Sequence, residues 1–449
     1  MEALLTDFRL DPPTWFYLSL LLIVSIYFRF NRIWSLRNLD LVLLLSLSPG
    51  LLIAEADSRL GFVWLFGASA SILVRLLADP FFSRRPRLSQ NLNSAGLIFL
   101  LVACGVFHVG KILTVDPLPA SSIRTVDQAN SLVERRDDSV TKAQNALPEN
   151  EPAGGPATTI FTAPFVSLSK ALTRGDVSHN WPVRLAAILA HASLIAAFFV
   201  MAWRLFGDSQ LGAAMATLYV VVPCTAYHVA QINHVMPCAL ILWAFIFFRN
   251  PFIAGGLLGL ACGTLFFPVF LLPIWMTFYG WQNSLRFVAA LASVWVVMLG
   301  SITFTSVDAV SFVRQVFSLF DWSMLSFSEV ETTGVWAGIP SVYRIPVFAL
   351  FVVMVGLLSW WPKGRSVDLL LARSTAVIIG TQFWYPQEGG AYLLWYVPLL
   401  LAVVFRPTLS QLTPPPATCW PWSRRDQPVA ARFDGAPPAG IEPVRPLFR

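Results

Sequence analysis

The sequence predicts an all-α protein: a polytopic bundle of about thirteen transmembrane helices, N-terminus outside and C-terminus cytoplasmic. Three observations predict it. Of 449 residues, 56% are apolar and 12% charged, with a mean hydropathy of +0.64, where a soluble domain carries about 45–50% and about 25%. Apolar runs of about 20 residues, enough to cross a hydrocarbon layer, recur along the chain. Lysine and arginine gather beside alternate runs. These observations exclude a soluble enzyme.

The N-terminal MEALLTDFRLDPPTW is acidic and polar. It lacks a basic stretch and a small-residue cleavage site ahead of an apolar core, so no cleaved signal peptide is expected and the first run stays as an anchor. Spans are expected near 14–29, 38–54, 61–78, 94–113, 184–204, 210–226, 235–248, 252–266, 268–280, 286–304, 345–361, 367–383 and 391–405. Around Pro268 and Pro273 a proline-broken pair reads equally as two spans or one re-entrant hairpin.

Orientation follows from the retention of positive loops on the cytoplasmic side. Arg29, Arg32 and Arg37 follow the first span, Arg84, Arg85 and Arg87 the third. Arg204, Arg249, Arg286, Lys363 with Arg365, and Arg406 follow the later odd-numbered spans, whereas the loops 55–60, 227–234 and 384–390 hold only Arg59. Residues 114–183 and 305–344 then form outer loops. The first has the composition of a flexible linker. The second holds VSFVRQVFSLFDWSMLSF, an aromatic stretch that fits a surface-lying amphipathic helix or a buried cap. From residue 407 the proline-rich, basic sequence reads as a disordered cytoplasmic tail.

The net charge of +6 sits mostly in loops beside spans. It therefore points to membrane lipid as a partner and to no nucleic acid. Cysteines at 104, 224, 238, 262 and 419 show no CxxC spacing, so neither a disulfide framework nor a zinc site is expected. His228 and His234, six apart with Glu388 as the nearest candidate carboxylate, do not make a metal site. The GGLLG run from Gly255 is an apolar close-packing face rather than a nucleotide loop. Ser178, His179 and Asp176 adjoin in sequence, which rarely gives triad geometry. Charges within spans are few. Arg75, Lys111 and Arg373 lie near helix ends and can snorkel, and His191 reads as a hydrogen-bonded core histidine. A coupled transporter needs more than this.

Two outer turns are polar. PCTAYHVAQINHV, starting at Pro223, carries Tyr227, His228, Gln231, Asn233 and His234; FWYPQEGGAYL, starting at Phe383, carries Tyr385, Gln387, Glu388 and Tyr392. Amides, tyrosines, histidines and a carboxylate beside aromatic rings suit a sugar's hydroxyls or a lipid phosphate. Short loops are also polar because they meet water, and both readings stand.

The run NWPVRLAAILAHASLIAAFFVMAWRLFGDSQLGAAMATLYVVVPCTAYHVAQINHV, starting at Asn180, resembles the integral-membrane GT-C glycosyltransferases. It has an outer Pro-x-Arg-Leu entry, Leu-Phe-Gly at the inner turn, a span ending in proline and a polar outer turn. RNPFIAGGLLGLACGTLFFPVFLLPIW, from Arg249, is similar to the family's next helix pair. YLLWYVPLL, from Tyr392, resembles the ending of aminoarabinose and mannosyl transferases, and FTAPFVSLSKAL, from Phe161, resembles the segment closing their first large outer loop. The resemblance covers residues 94–406 as a GT-C-like module, with residues 1–93 as a three-span addition.

The resemblance implies a bacterial inner-membrane enzyme that moves a sugar from a polyprenyl-phosphate donor to a lipid, glycan or protein acceptor on the outer face. The donor is a co-substrate, and no cofactor or divalent metal is expected. The family's base is a carboxylate in the first large outer loop. Asp116 takes that role by position, with Asp137 and Asp138 as runners-up, and the polar turns would bind substrate. The alternative is a non-catalytic multi-span protein of cell-envelope polysaccharide assembly or export. Sugar, acceptor and oligomeric state stay open.

Overall fold

The computed structural model of the protein describes residues 12–82, 90–134, 154–172, 180–227, 229–303, 306, 308–318, 325, 327, 332–361 and 364–416. Asp137, Asp138, His228 and the tail from residue 417 lie outside the described residues. The chain divides into two units, Met1–Pro415 and Pro416–Arg449, and the helices belong to the first.

The described residues form helices and no strand. In order these are α1 (Pro12–Tyr27), α2 (Leu36–Leu45), α3 (Leu47–Ala56), α4 (Ser58–Leu77), α5 (Ser94–Thr114), α6 (Ala120–Glu134), α7 (Pro156–Leu172) and α8 (Asn180–Met201). There follow α9 (Ser209–Val221), α10 (Ile232–Ile246), α11 (Pro251–Cys262), α12 (Leu272–Thr303), α13 (Ala309–Ser318), α14 (Arg344–Trp360), α15 (Val367–Trp384) and α16 (Val397–Phe405). Six stretches are long and apolar enough to cross a membrane: Leu36–Ala56, Ser58–Leu77, Ser94–Thr114, Trp181–Phe206, Phe267–Thr303 and Ser341–Trp360. They are compatible with a multi-pass membrane protein.

The most completely buried helices are not the longest ones. α9 has 13 residues, about 20 Å of helix, and every residue from Gly212 to Val221 is buried. α10, α15 and α16 are likewise buried on nearly all sides, which in α15 includes the polar Ser374, Thr375, Thr381 and Gln382. Polar groups tie them to their neighbours. The Tyr27 hydroxyl donates to the Ala214 carbonyl at 2.9 Å, Thr217 donates to the Leu97 carbonyl at 2.9 Å, and Ser69 and Tyr396 share a hydrogen bond of 3.1 Å. In an apolar bundle such bonds orient helices that hydrophobicity alone leaves unordered. They also fasten α1 and α4, within the first 93 residues, onto α9 and onto the chain entering α16.

Proline and glycine set several boundaries. The expected span 38–54 breaks at Ser46, whose hydroxyl donates to the Leu43 carbonyl at 2.7 Å; Pro49 has no N–H to offer Leu45 and its ring crowds that carbonyl. The expected span 391–405 is α-helical only from Val397. Phe267–Thr303 is not one rod. Gly280 has φ +69°, and Trp275 and Phe287 stack with centroids 6.2 Å apart, although twelve helical residues measure about 18 Å. The chain therefore doubles back at Gly280, keeping the 268–280 and 286–304 runs as separate arms.

The segment 114–183, expected as an outer loop, differs in its described residues from the linker its composition suggested. It contains α6 and α7, which pack on each other, on α8 and on α10 around Leu118, Val126, Ala129, Val166 and Val183. Lys170 and Glu134 pair across them. The buried face of α6 is made of Ser121, Ser122, Arg124, Thr125 and Ser131 as much as of apolar residues, so hydropathy does not reveal it.

Arg75 does not snorkel. It is buried at 6% exposure, pairing with Asp40 at 2.7 Å and with Asp79 at 2.9 Å; Asp79 also pairs with Arg406. Two acids and two bases balance, which is the condition for keeping charge out of water. This network marks one end of the bundle, the arginine end. The turns at 223–231 and 385–392 mark the other, the polar end.

Candidate functional site

At the polar end the Pro223–Ala226 turn, the start of α10 and the Leu393–Trp395 turn meet. Proline shapes the first: Pro223 ends the buried α9, and a 3-10 turn carries the chain to Tyr227. Tyr227 is 43% exposed. Burial, then the Glu388 and Glu55 carboxylates, push its phenol above the usual range, so it remains a hydrogen-bond donor at neutral pH. The same charges bring Glu388 of one loop, the end of α3 and the Tyr227 turn into a single neighbourhood.

Gln231 sits at the N-cap of α10, 9% exposed, and Asn233 is fully buried. The Asn233 amide donates to Thr125 of α6 over a long 3.5 Å. Ser122 donates to the Ala230 carbonyl at 3.0 Å. The chain entering α7 closes the same corner, with the Gly155 and Ala157 N–H groups donating to the Thr264 and Gly263 carbonyls at 2.8 and 2.9 Å. A side chain at Gly154 would collide with the Asn233 amide, since its Cβ would lie 2.6 Å from Oδ1. Among the described residues Thr225 Oγ1, Gln231 Oε1, Asn233 Oδ1 and Trp395 Nε1 are buried without a hydrogen-bond partner. Buried polar atoms left in this state cost about 1–3 kcal/mol each, and their gathering at one end calls for a ligand or water.

An aromatic wall stands behind them. Tyr392 stacks on Trp395 at 4.4 Å and 7°, His234 lies against both rings at 5.3 and 5.9 Å, and Tyr385 stacks on Phe266 at 5.1 Å. Gln387 is 7% exposed and accepts from the Tyr385 hydroxyl at 3.4 Å.

Gln382, which the sequence reading passed over, organises this loop. Its amide donates to the Tyr392 carbonyl at 3.2 Å and accepts from the Gly390 N–H at 3.1 Å. Between them Glu388 is held at φ +38°, in the left-handed region that costs a residue with a side chain about 1 kcal/mol. Its N–H donates to Thr333 Oγ1 at 3.0 Å, and Gly334, at φ +70°, packs so closely that a Cβ would lie 2.9 Å from Glu388 Cα. The Thr333–Trp336 stretch is thus latched onto the polar loop, with Trp336 Nε1 donating to the Phe383 carbonyl at 3.1 Å.

Arg344 is the second residue missed. It is fully buried, donates from Nε to the Trp384 carbonyl at 2.9 Å and lies within electrostatic reach of Tyr385. Its signal was present as a lone arginine opening an apolar run. The structure brings together Tyr227, Gln231, Asn233, His234, Tyr385, Gln387, Glu388 and Tyr392 at one end. Asp116 is exposed just beyond α5. The Val115 carbonyl beside it accepts from Arg184 at 3.1 Å, while the Asp116 carboxylate itself has no hydrogen bond or ion pair among the described residues. No group of three His, Cys, Asp or Glu among the described residues is placed to hold a metal ion. No family model, curated protein or solved structure matches the chain.

Proposed function

We propose that the chain is a GT-C type membrane glycosyltransferase that moves a sugar from a polyprenyl-phosphate donor to an acceptor at the polar end. The carrying observation is the set of unpartnered buried atoms of Thr225, Gln231, Asn233 and Trp395 against the Tyr385–Tyr392 aromatic wall. Sugar hydroxyls complete such donors and acceptors, and sugar faces pack on such rings. Arg344 supplies a nearby cation for the lipid phosphate. In the transfer a carboxylate of the first outer loop takes the acceptor's hydroxyl proton and that oxygen bonds the sugar's anomeric carbon. The carbon's bond to the phosphate oxygen breaks, and polyprenyl phosphate leaves with the electron pair.

In this reading thirteen helical segments cross a bacterial inner membrane in alternation, with the polar end outside and the arginine end cytoplasmic. Contacts support the alternation: Gly255, Gly259 and Gly263 of α11 and its C-cap meet Phe287, Leu291 and Met298 in the same order, so the second arm of α12 runs parallel to α11. The exposed, unpaired Asp116 favours a second reading, a non-catalytic relative that binds a lipid-linked glycan during polysaccharide assembly or export.

One experiment separates them. Full-length protein in phosphatidylcholine nanodiscs is titrated with polyprenyl monophosphate, then assayed with polyprenyl-phosphate hexoses and pentoses. Saturable binding that weakens about tenfold in Asn233→Leu and Gln231→Leu is expected, with sugar transfer lost in Asp116→Asn. Binding without transfer leaves the second reading, and no binding removes both.

A further inference from the structure

A second polar site lies at the opposite end of the bundle. Where α12 reverses, the end of α14 and the start of α15 enclose a cavity of about 650 Å³, within the size range of small-molecule sites. Its floor is apolar, with Ile274, Phe278 and Leu370, and its rim carries the guanidinium groups of Arg365 and Arg373 beside hydroxyls of Thr277, Ser284 and Ser359.

Gly280 makes room for one of the cations. It has φ +69°, and a Cβ built there would lie 2.8 Å from Arg365 Nη1, so only glycine allows both the chain reversal and the guanidinium lying over it. Among the described residues Arg365 has no hydrogen bond or ion pair. Arg373 stands six residues into α15, about 9 Å along the helix, and interacts with Asp368. The Asp368 carboxylate is also engaged by the Leu369 N–H at 3.0 Å. Among the described residues, two cations against one anion leave a net positive charge at a cavity with an apolar floor.

Trp281 and Trp360, each 81% exposed, line the same opening. Exposed indoles beside arginines at the end of an apolar bundle match the headgroup level of a bilayer, where an apolar ring with a polar edge is most stable. We propose that this cavity binds the phosphodiester headgroup of an anionic glycerophospholipid, with Arg365 and Arg373 on the phosphate and the first acyl carbons on the Phe278 floor. The site is independent of the transfer reaction and lies at the other end of the bundle from its residues.

The test is native mass spectrometry of the full-length protein released from vesicles of equal phosphatidylglycerol and phosphatidylcholine. The wild type is expected to keep one phosphatidylglycerol in preference to phosphatidylcholine, and Arg365→Gln to reduce that preference about fivefold, the effect of removing one cation from an anionic lipid. Arg249→Gln, exposed at the same end, should leave it unchanged. Equal retention of the two lipids, or an Arg365→Gln protein that behaves as wild type, overturns the proposal. Displacement of the bound lipid by millimolar inorganic phosphate, or preferentially by polyprenyl monophosphate, overturns its assignment to a glycerophospholipid. Arg365 is exposed, so its variant folds; Arg365→Lys, which keeps the cation, should retain the preference that Arg365→Gln loses.

Discussion

A histidine inside an apolar helix is decided by where its two ring nitrogens point. In His191, Nε2 lies 3.0 Å from the Val229 carbonyl, which can only accept, so Nε2 carries the proton and Nδ1 is left as the acceptor. The Tyr219 hydroxyl donates to it at 2.7 Å, and His108 Nε2 approaches at 3.3 Å. Every nitrogen of His191 is thus spoken for in the neutral form, which is the arrangement of a core histidine rather than a relay. His191→Phe leaves the Val229 carbonyl and the Tyr219 hydroxyl buried without this partner and should cost about 2–4 kcal/mol, whereas Tyr219→Phe, which removes one bond, should cost about 1 kcal/mol. Thermal unfolding in detergent checks the order; equal loss from both would contradict this tautomer. The role of His191 was legible in its position within an apolar span. Its partners were not, because they lie 83 and 28 residues away and only the packing of α5, α8 and α9 brings them together. Arg75 misled the sequence reading for a related reason: Asp79 lies only four residues on, but Asp40 and Arg406, which complete the balanced network, come from distant elements.

At the scale of the element, α11 shows how small residues are read. Gly255, Gly256 and Gly259 look alike in the sequence, yet a Cβ at Gly255 would lie 2.2 Å from the Phe287 carbonyl oxygen, while one at Gly256 would find only Val294 Cγ2 at 4.0 Å. Gly255→Ala should therefore force α11 and α12 apart and cost about 1–3 kcal/mol. Gly256→Ala should be neutral or stabilising by up to about 1 kcal/mol, since alanine restricts the unfolded chain without meeting anything in the folded one. The pair is compared by unfolding midpoints in one detergent, and a destabilising Gly256→Ala would refute this packing. The close-packing role of the GGLLG run was legible from composition; which glycine carries it was not, because that depends on the rotation of α11 against α12. α6 was illegible for a different reason. Its buried face of Ser121, Ser122, Arg124 and Thr125 packs on protein, with Ser122 donating to the Ala230 carbonyl and Thr125 bonding its own helix and Asn233, so it carries no apolar run of the kind that marks a span. The residues that complete the polar end, Thr125 and Gln382, belong to such faces, whereas Gln231 and Asn233 announced themselves in a short turn.

At the scale of the whole molecule, the chain sorts its polar groups to two ends. The balanced Asp40–Arg75–Asp79–Arg406 network and the Arg365–Arg373 cavity lie at one; the amides, tyrosines and Glu388 lie at the other. Between them several polar groups are tied helix to helix, as when Tyr27 reaches Ala214 and Thr217 reaches Leu97. This separation follows from solvation: cations and aromatic rims suit an anionic headgroup layer, while unpartnered amides need water or a hydroxyl-rich ligand. It gives the proposed topology a direct check. Cys104, Cys224, Cys238 and Cys262 are buried, so a Cys419→Ser background leaves little reactive thiol in the described bundle. Single cysteines at Arg59 and Ala337, both exposed at the polar end, should then react with an impermeant maleimide in intact cells, while cysteines at Trp34 and Gln210, exposed at the arginine end, should react only after permeabilisation. Reversed labelling of all four would invert the orientation and place the polar end in the cytoplasm, facing nucleotide-linked rather than outer-leaflet chemistry. Labelling of Arg59 and Trp34 from the same side would instead mean that Leu36–Ala56 does not cross, because the break at Ser46 is then a re-entrant turn and the count of crossings falls.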